Sequence, residues 1–263
     1  MKKYLVVGNP IDHSLSPQLH NFWIKSGSLD AIYEKKKLNY NDLENIILEL
    51  RKKKIHGINV TVPFKKVIIQ HLDQLSVESE STQSVNTIFL DHDKIIGHNT
   101  DIEGFERSIN EMRVNVFNKK ILILGAGGVV PSIICALEKM RVSEIMISNR
   151  TKSKAENLKY LFKNLKLIDW GEIPDFDIII NATSIGLKSN DKIDLDISKV
   201  GKDKFFYDVI YKPSETHFLK EGRRLGNRVE NGKLMFIYQA RAAFEIWHDI
   251  KPIINNEVIK LLD

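Results

Sequence analysis

The chain has 263 residues, 43% of them hydrophobic, a net charge of +5 and a single cysteine. That length supports one large domain or two modest ones, and the composition excludes a disordered or fibrous class. The lone Cys135 excludes an internal disulfide framework and is expected to be a buried core thiol. The lysine-rich clusters (35–37 and 51–54) lack interleaved aromatics, so they read as solvated faces rather than a nucleic-acid surface.

MKKYLVVG predicts a strand over 4–8, with too short an apolar run for a secretory segment. NPIDHSLSPQLHN (9–21) follows and superficially offers serine, histidine and aspartate for hydrolysis. His13 and His20 lack the i, i+4 spacing of a metal pair, and no metal site is expected. Ser16 before Pro17 fits an N-cap followed by proline at the first helical position. Ser14 and Ser16 would then sit at a helix N-terminus, where hydroxyls and the helix dipole suit a carboxylate.

NDLENIILELRKK (41–53) has helical periodicity and a capping box expected between Asn41 and Glu44. In the strand GINVTV (57–62), alternation puts Asn59 and Thr61 on one face and turns Val60 and Val62 toward the core. Pro63 ends that strand, and Lys65 is expected at the start of the next helix. VNTIFLDHDKIIGHN (85–99) reads as a hairpin, flanked by Asn86 in SVNT and Asp101 in HNTD. IEGFERSINEM then reads as a helix leading into a glycine-rich unit, with a domain boundary near 101–104.

Further strands are expected at 120–125, 144–149, 177–183 and 205–210, mostly alternating with helices. This implies an α/β chain with mainly parallel sheets. The uncharged run 121–137 is broken by three glycines and a proline, so strand, turn and helix fits it better than a membrane span. KLMFIYQARAAFEIWHDI (233–250) closes the chain as a helix that needs an apolar partner.

GAGGVV follows a strand directly and precedes a helix, the context in which a glycine turn admits a pyrophosphate to a helix N-terminus. Gly125 and Gly127 match the first two fingerprint glycines, while Val130 stands where glycine or alanine is usual. The next strand ends in Asn149, Arg150 and Thr151, followed by Lys152 and Lys154, with no acid in place to bind a ribose 2′-hydroxyl. Arg150 suits a 2′-phosphate or stacking on adenine, so the expected cofactor is NADP(H).

NPIDHSLSPQLHN, NVTVPFK, SVNT, HNTD, GAGG, NRT, NATSIGL, YDVIYKP and LMFIYQA occur in one order over nearly the whole chain. In this the chain resembles the shikimate dehydrogenase family of the aromatic amino-acid pathway. The resemblance implies two α/β domains with a cleft between them. One is a substrate domain (1–101 plus 236–263), the other a Rossmann-like NADP-binding domain (102–235). It implies NADPH-dependent reduction of 3-dehydroshikimate to shikimate, with Lys65 and Asp101 in catalysis. Ser14 and Ser16 fall where the family holds the substrate carboxylate. Asn59, Thr61, Asn86, Asp101 and Gln239 fall where it holds ring hydroxyls and the carbonyl region, and Tyr211 matches a position near the substrate. Gly125, Ala126, Gly127, Gly128, Asn149, Arg150, Thr151, Lys154 and Thr183 are the expected cofactor contacts.

The chemistry agrees with that assignment. Reducing a ketone adds hydride to carbon and a proton to oxygen, and a lysine ammonium both stabilises the growing negative charge and supplies the proton. Val130, His98, Ile102 and Lys233 depart from the family pattern, the last three being expected to alter cleft shape. Two alternatives stay open: a broader quinate/shikimate dehydrogenase, and a non-catalytic sensor descended from the enzyme. The expected partner is a small molecule, not nucleic acid or membrane. The expected protein is cytoplasmic and monomeric or homodimeric.

Overall fold

The computed structural model describes residues 1–188 and 190–262. The chain divides into two compact units, Met1–Gly104 with Ile237–Asp263, and Phe105–Phe236. The first elements are β1 (Lys2–Gly8), α1 (Ser16–Ser26), β2 (Ala31–Lys37), α2 (Leu43–Arg51), β3 (Gly57–Val60) and β4 (Gln74–Leu75). There follow α3 (Val77–Thr82), β5 (Thr87–Asp91), β6 (Lys94–His98) and α4 (Asp101–Glu111). The division after Gly104 falls inside α4.

The first unit's sheet has the order β2-β1-β3-β5-β6-β4. It is mixed: β1 runs parallel to β2 and β3 and β4 runs parallel to β6, whereas β5 is antiparallel to both β3 and β6. The expected hairpin is present as β5 and β6, closed by a turn in which His92 has a φ of 53°. Tyr4 through Val7 are all buried, as a strand covered on both faces requires. Leu43, Ile46, Ile47 and Leu50 recur at helical spacing on α2 and pack on Leu5, Val7, Ile58, Val60 and Ile88. Truncating a fully buried residue such as Leu50 to alanine would cost about 2–5 kcal/mol.

Some local expectations fail for identifiable reasons. The capping box forms at Asn39 and Asp42, around a 3-10 turn (Tyr40–Asp42) that precedes α2, rather than at Asn41 and Glu44. Strand β3 stops at Val60, so Val62 is 59% exposed instead of facing the core. Lys65 lies in a turn ahead of a 3-10 helix (Val67–His71), not in an α-helix.

The second unit carries β7 (Lys120–Leu124), α5 (Val130–Lys139), β8 (Glu144–Ser148), α6 (Lys152–Leu161), β9 (Lys166–Ile168) and β10 (Ile178–Asn181). It continues with β11 (Phe205–Asp208), α7 (His217–Arg224) and β12 (Arg228–Asn231). All six strands are parallel, in the order β12-β11-β10-β7-β8-β9. Numbered within the unit, that is the 3-2-1-4-5-6 order of a doubly wound dinucleotide fold, which reverses between β7 and β10. Leu122, Leu124, Met146, Ile179, Phe206 and Phe218 form its core on one face. Val130, the departure from the glycine pattern, is fully buried at the start of α5 and packs without a glycine there. Cys135 on the same helix is half-buried, not the core thiol expected.

Helix α8 (Lys233–His248) leads back into the first unit, and α9 (Asn256–Lys260) follows it. Gly57 on β3 lets α8 approach the sheet: a Cβ there would lie 2.4 Å from the indole nitrogen of Trp247. That nitrogen donates to the Ile88 carbonyl at 3.2 Å. Among the described residues no helix is long and apolar enough to cross a membrane.

Candidate active site

Strand directions gather one set of polar loops at a single edge of the first sheet. Val7 pairs with Val60 in parallel strands, so the segments after β1 and β3 leave the same edge, tied by Asn9 N–H donating to the Val62 carbonyl at 3.0 Å. Because β5 runs antiparallel to β3, its start (Asn86, Thr87) lies at that edge too. The pairing of Thr87 with His98 brings the end of β6 there, with Asn99, Thr100 and Asp101.

At this edge Lys65 Nζ bonds Asp101 Oδ2 at 2.5 Å, and the two side chains are only 14% and 8% exposed. Asp101 Oδ1 accepts from Asn86 Nδ2 at 2.8 Å. The Asn86 carbonyl oxygen Oδ1 accepts in turn from Thr100 N–H at 2.8 Å, and Asp101 N–H donates to Asn99 Oδ1. Lys65 is held by its backbone, whose carbonyl accepts from Val85 N–H at 2.9 Å. A desolvated ammonium with only one of its three N–H groups directed at Asp101 retains donors for an incoming oxygen.

Asn59 is nearly buried and engaged internally: Nδ2 donates to the Asn86 carbonyl and Thr87 Oγ1, and Oδ1 accepts from the Tyr33 hydroxyl at 2.7 Å. Thr61 is half-buried, its N–H bonded to the Val7 carbonyl. Gln239 is half-buried on α8.

Ser14 and Ser16 come together at the start of α1, their hydroxyls 3.2 Å apart. Ser16 is the first helical residue and not the N-cap, a position held by Leu15. The Ser14 hydroxyl instead accepts from Ser16 N–H at 3.3 Å, doing the work of a cap from one residue further out. His20 is not a plain helix-face residue: it is buried, stacked on Tyr33 with centroids 4.1 Å apart. Of the family departures, Ile102 is buried in packing, and His98 Nδ1 bonds the Ser76 hydroxyl at 2.8 Å.

In the second unit, the turn at 125–128 leaves β7 at the point where the strand order reverses. Gly125 has a φ of 109°, and a Cβ there would lie 2.9 Å from the Ala182 backbone, so only glycine fits. Gly127 and Gly128 are exposed, and a Cβ on Gly127 would meet only the Ala182 carbonyl at 3.8 Å, which leaves room for a pyrophosphate beside the N-terminus of α5. Ala126 is half-buried between them. Arg150, Thr151 and Lys154 are exposed just beyond β8, and Asn149 Nδ2 braces the turn by donating to the Thr151 carbonyl. Among the described residues Arg150 has no carboxylate partner, whereas Lys152 is paired with Asp169 at 2.8 Å. The residues present therefore fit a phosphorylated dinucleotide.

Thr183 follows β10, and its hydroxyl donates to Asn181 Oδ1 at 2.7 Å. Asn181 is fixed by Asp208 Oδ2, which also accepts from the Thr216 hydroxyl at 2.6 Å. Burial pushes the Asp208 carboxyl up to about 6 despite these bonds. Tyr211 stacks on Phe236, and burial raises its phenol to about 12. Sequence reasoning missed Tyr33 and Asp208. Only the quoted YDVIYKP motif carried a signal for the second, and none marked the first.

Comparison with known proteins agrees with this arrangement. Residues 6–88 match the shikimate dehydrogenase substrate binding domain, and residues 108–204 match the shikimate / quinate 5-dehydrogenase domain. The chain is 58% identical to the shikimate dehydrogenase (NADP(+)) of Pelagibacter ubique, over 100% of this chain and 99% of that one. It superposes on shikimate dehydrogenase from Aquifex aeolicus with a TM-score of 0.92 at 35% identity, covering 100% and 97% of the two chains. The Thermus thermophilus shikimate 5-dehydrogenase, solved in complex with NADP(H) and shikimate, gives 0.91 at 28% identity over 100% and 98%. With matched domains, near-complete coverage and this identity, the chain belongs to the shikimate dehydrogenase family.

Proposed function

We propose that this chain is an NADP-dependent oxidoreductase of the chorismate and aromatic amino-acid pathway, interconverting 3-dehydroshikimate and shikimate. The observation that carries the reading is the buried Lys65–Asp101 pair, fixed by Asn86. When bound, a reduced nicotinamide would supply the hydride for the carbonyl carbon and be oxidised in doing so. Lys65 hydrogen-bonds the ketone oxygen, stabilises the charge developing on it and transfers a proton from Nζ, giving the alcohol. In the reverse direction the neutral lysine takes that proton back. Asp101 orients the ammonium and accepts from a neighbouring ring hydroxyl.

Ser14 and Ser16 hold the substrate carboxylate, each hydroxyl contributing about 1.5–3 kcal/mol as a hydrogen bond to a charged group. Thr61, Asn59, Asn86 and Gln239 serve the ring hydroxyls, and Tyr211 completes the substrate side. Gly125, Ala126, Gly127 and Gly128 would hold the pyrophosphate. Asn149, Arg150, Thr151 and Lys154 would hold the 2′-phosphate end, and Thr183 the nicotinamide side. The reading is completed by a cytoplasmic monomer or homodimer acting without nucleic acid.

An absorbance assay of NADP reduction with shikimate, and separately with quinate, tests this. Turnover of shikimate well above quinate is expected. Comparable rates with both substrates would make the enzyme a broader quinate/shikimate dehydrogenase. Binding of shikimate without turnover would make the chain a sensor.

A further inference from the structure

Asn59 has little freedom in how it meets a substrate. Its amide carries two N–H donors, and both are spent inside the protein, on the Asn86 carbonyl at 3.0 Å and on Thr87 Oγ1 at 3.1 Å. The Asn86 carbonyl is acceptor-only, so the nitrogen must face it and the oxygen must face the other way. There Oδ1 accepts from the Tyr33 hydroxyl at 2.7 Å, leaving one lone pair uncommitted. Asn59 can therefore accept from a substrate hydroxyl but has no donor left for a carbonyl.

Tyr33 is well placed to enforce this orientation. It is 1% exposed, on β2, where its backbone is clamped by Asn21: the Asn21 side chain accepts from Tyr33 N–H at 2.9 Å and donates to its carbonyl at 2.8 Å. Its ring stacks face to face on His20, one turn along α1 from Ser16. Burial raises its phenol well above the usual range, so the hydroxyl keeps its proton and donates, while the Ser16 hydroxyl acts on the same phenol in the opposite sense.

Resting on the function proposed above, we propose that Tyr33 is a positioning residue of the substrate site: its hydroxyl fixes Asn59 as an acceptor for a substrate hydroxyl. It contacts the substrate only through Asn59. Tyr33→Phe keeps the ring, the stack on His20 and the volume, and removes only the donor.

The test is steady-state kinetics of Tyr33→Phe, Asn59→Ala and the double variant, with thermal midpoints. For Tyr33→Phe the KM for shikimate should rise about tenfold, the effect of one lost buried hydrogen bond, with kcat and the KM for NADP nearly unchanged. The two substitutions should be non-additive, because the first acts through the second. An unchanged KM for shikimate in Tyr33→Phe overturns the role, as does a parallel rise of both KM values that tracks a fall in thermal midpoint. Full additivity overturns the coupling through Asn59. A wild-type chain that turns over no shikimate overturns the function itself, whereas an active wild type with a silent Tyr33→Phe overturns only the role of Tyr33.

Discussion

Asn86 and Asp101 are joined by a 2.8 Å hydrogen bond that commits one carboxylate oxygen to an amide and leaves the other for the Lys65 ammonium. The amide is itself immobilised, since its oxygen accepts from Thr100 N–H. The carboxylate therefore cannot rotate without breaking bonds to two strands' ends, and Lys65 inherits that fixed direction. Preorganised charge of this kind favours a transition state more than a ground state.

Lys65→Ala should for that reason lower kcat by roughly 10²–10⁴-fold, the usual worth of a positioned acid, and change the KM for shikimate only a few-fold. Steady-state kinetics in both directions check this. A loss confined to KM would make Lys65 a binding residue.

Arg150→Asp should weaken NADP(H) by roughly 10- to 150-fold, because a charge-assisted bond worth about 1.5–3 kcal/mol is replaced by repulsion. The effect should shrink at high salt, since Arg150 is exposed. NADH should lose far less, having no 2′-phosphate. Cofactor titrations with both nucleotides decide it, and an unaltered NADPH affinity would remove Arg150 from the site.

Much of this site could be read directly from the chain. The glycine turn announced itself by standing between a strand and a helix, and Asn86, Asp101 and Lys65 each sat in short polar motifs after apolar runs. What stayed hidden depended on pairing between distant strands. Tyr33 lies in AIYEKKK, an edge strand rich in exposed charge, and nothing local marks it as buried. Its role follows from β1 standing between β2 and β3, which carries its ring toward Asn59 across the sheet. His20 sits seven residues beyond His13 and resembles a polar helix position until Phe244 and Trp247 of α8 pack around it. The capping pair moved from Asn41 to Asn39 because a 3-10 turn intervenes, a choice set by hydrogen bonding within three residues and invisible to periodicity.

Asp208→Asn should loosen the turn that carries Thr183. The carboxylate accepts from Asn181 Nδ2, the Thr216 hydroxyl and Ile210 N–H, and an asparagine would turn an N–H toward one of these donors. A cost of about 1–3 kcal/mol is expected, with a raised KM for NADP and an unchanged KM for shikimate. The wild-type carboxyl is raised from 3.8 to about 6, so the folded state holds the extra proton between those values. Its contribution to stability therefore falls as pH rises from about 4 to about 6, and the variant should lack that component. Denaturant midpoints across this range measure it.

His20 contributes with the opposite sign. Among the described residues both ring nitrogens are buried without a partner, and burial, helped by nearby His248, lowers the imidazole from 6.5 to about 3. Between those values the unfolded chain binds a proton that the folded chain refuses, so stability falls as pH drops below 6.5, at up to about 1.4 kcal/mol per pH unit. His20→Phe keeps an aromatic ring against Tyr33 and Phe244 while deleting two unsatisfied polar atoms. Its stability at neutral pH should match or exceed that of the wild type. Its acid limb should be shallower by the share of His20, while His248, lowered to about 4, and His56, also lowered, keep theirs and Asp208 opposes them. Urea midpoints at several pH values between 4 and 7 separate the cases: an equally steep limb in the variant would show that the proton is taken up elsewhere than at His20.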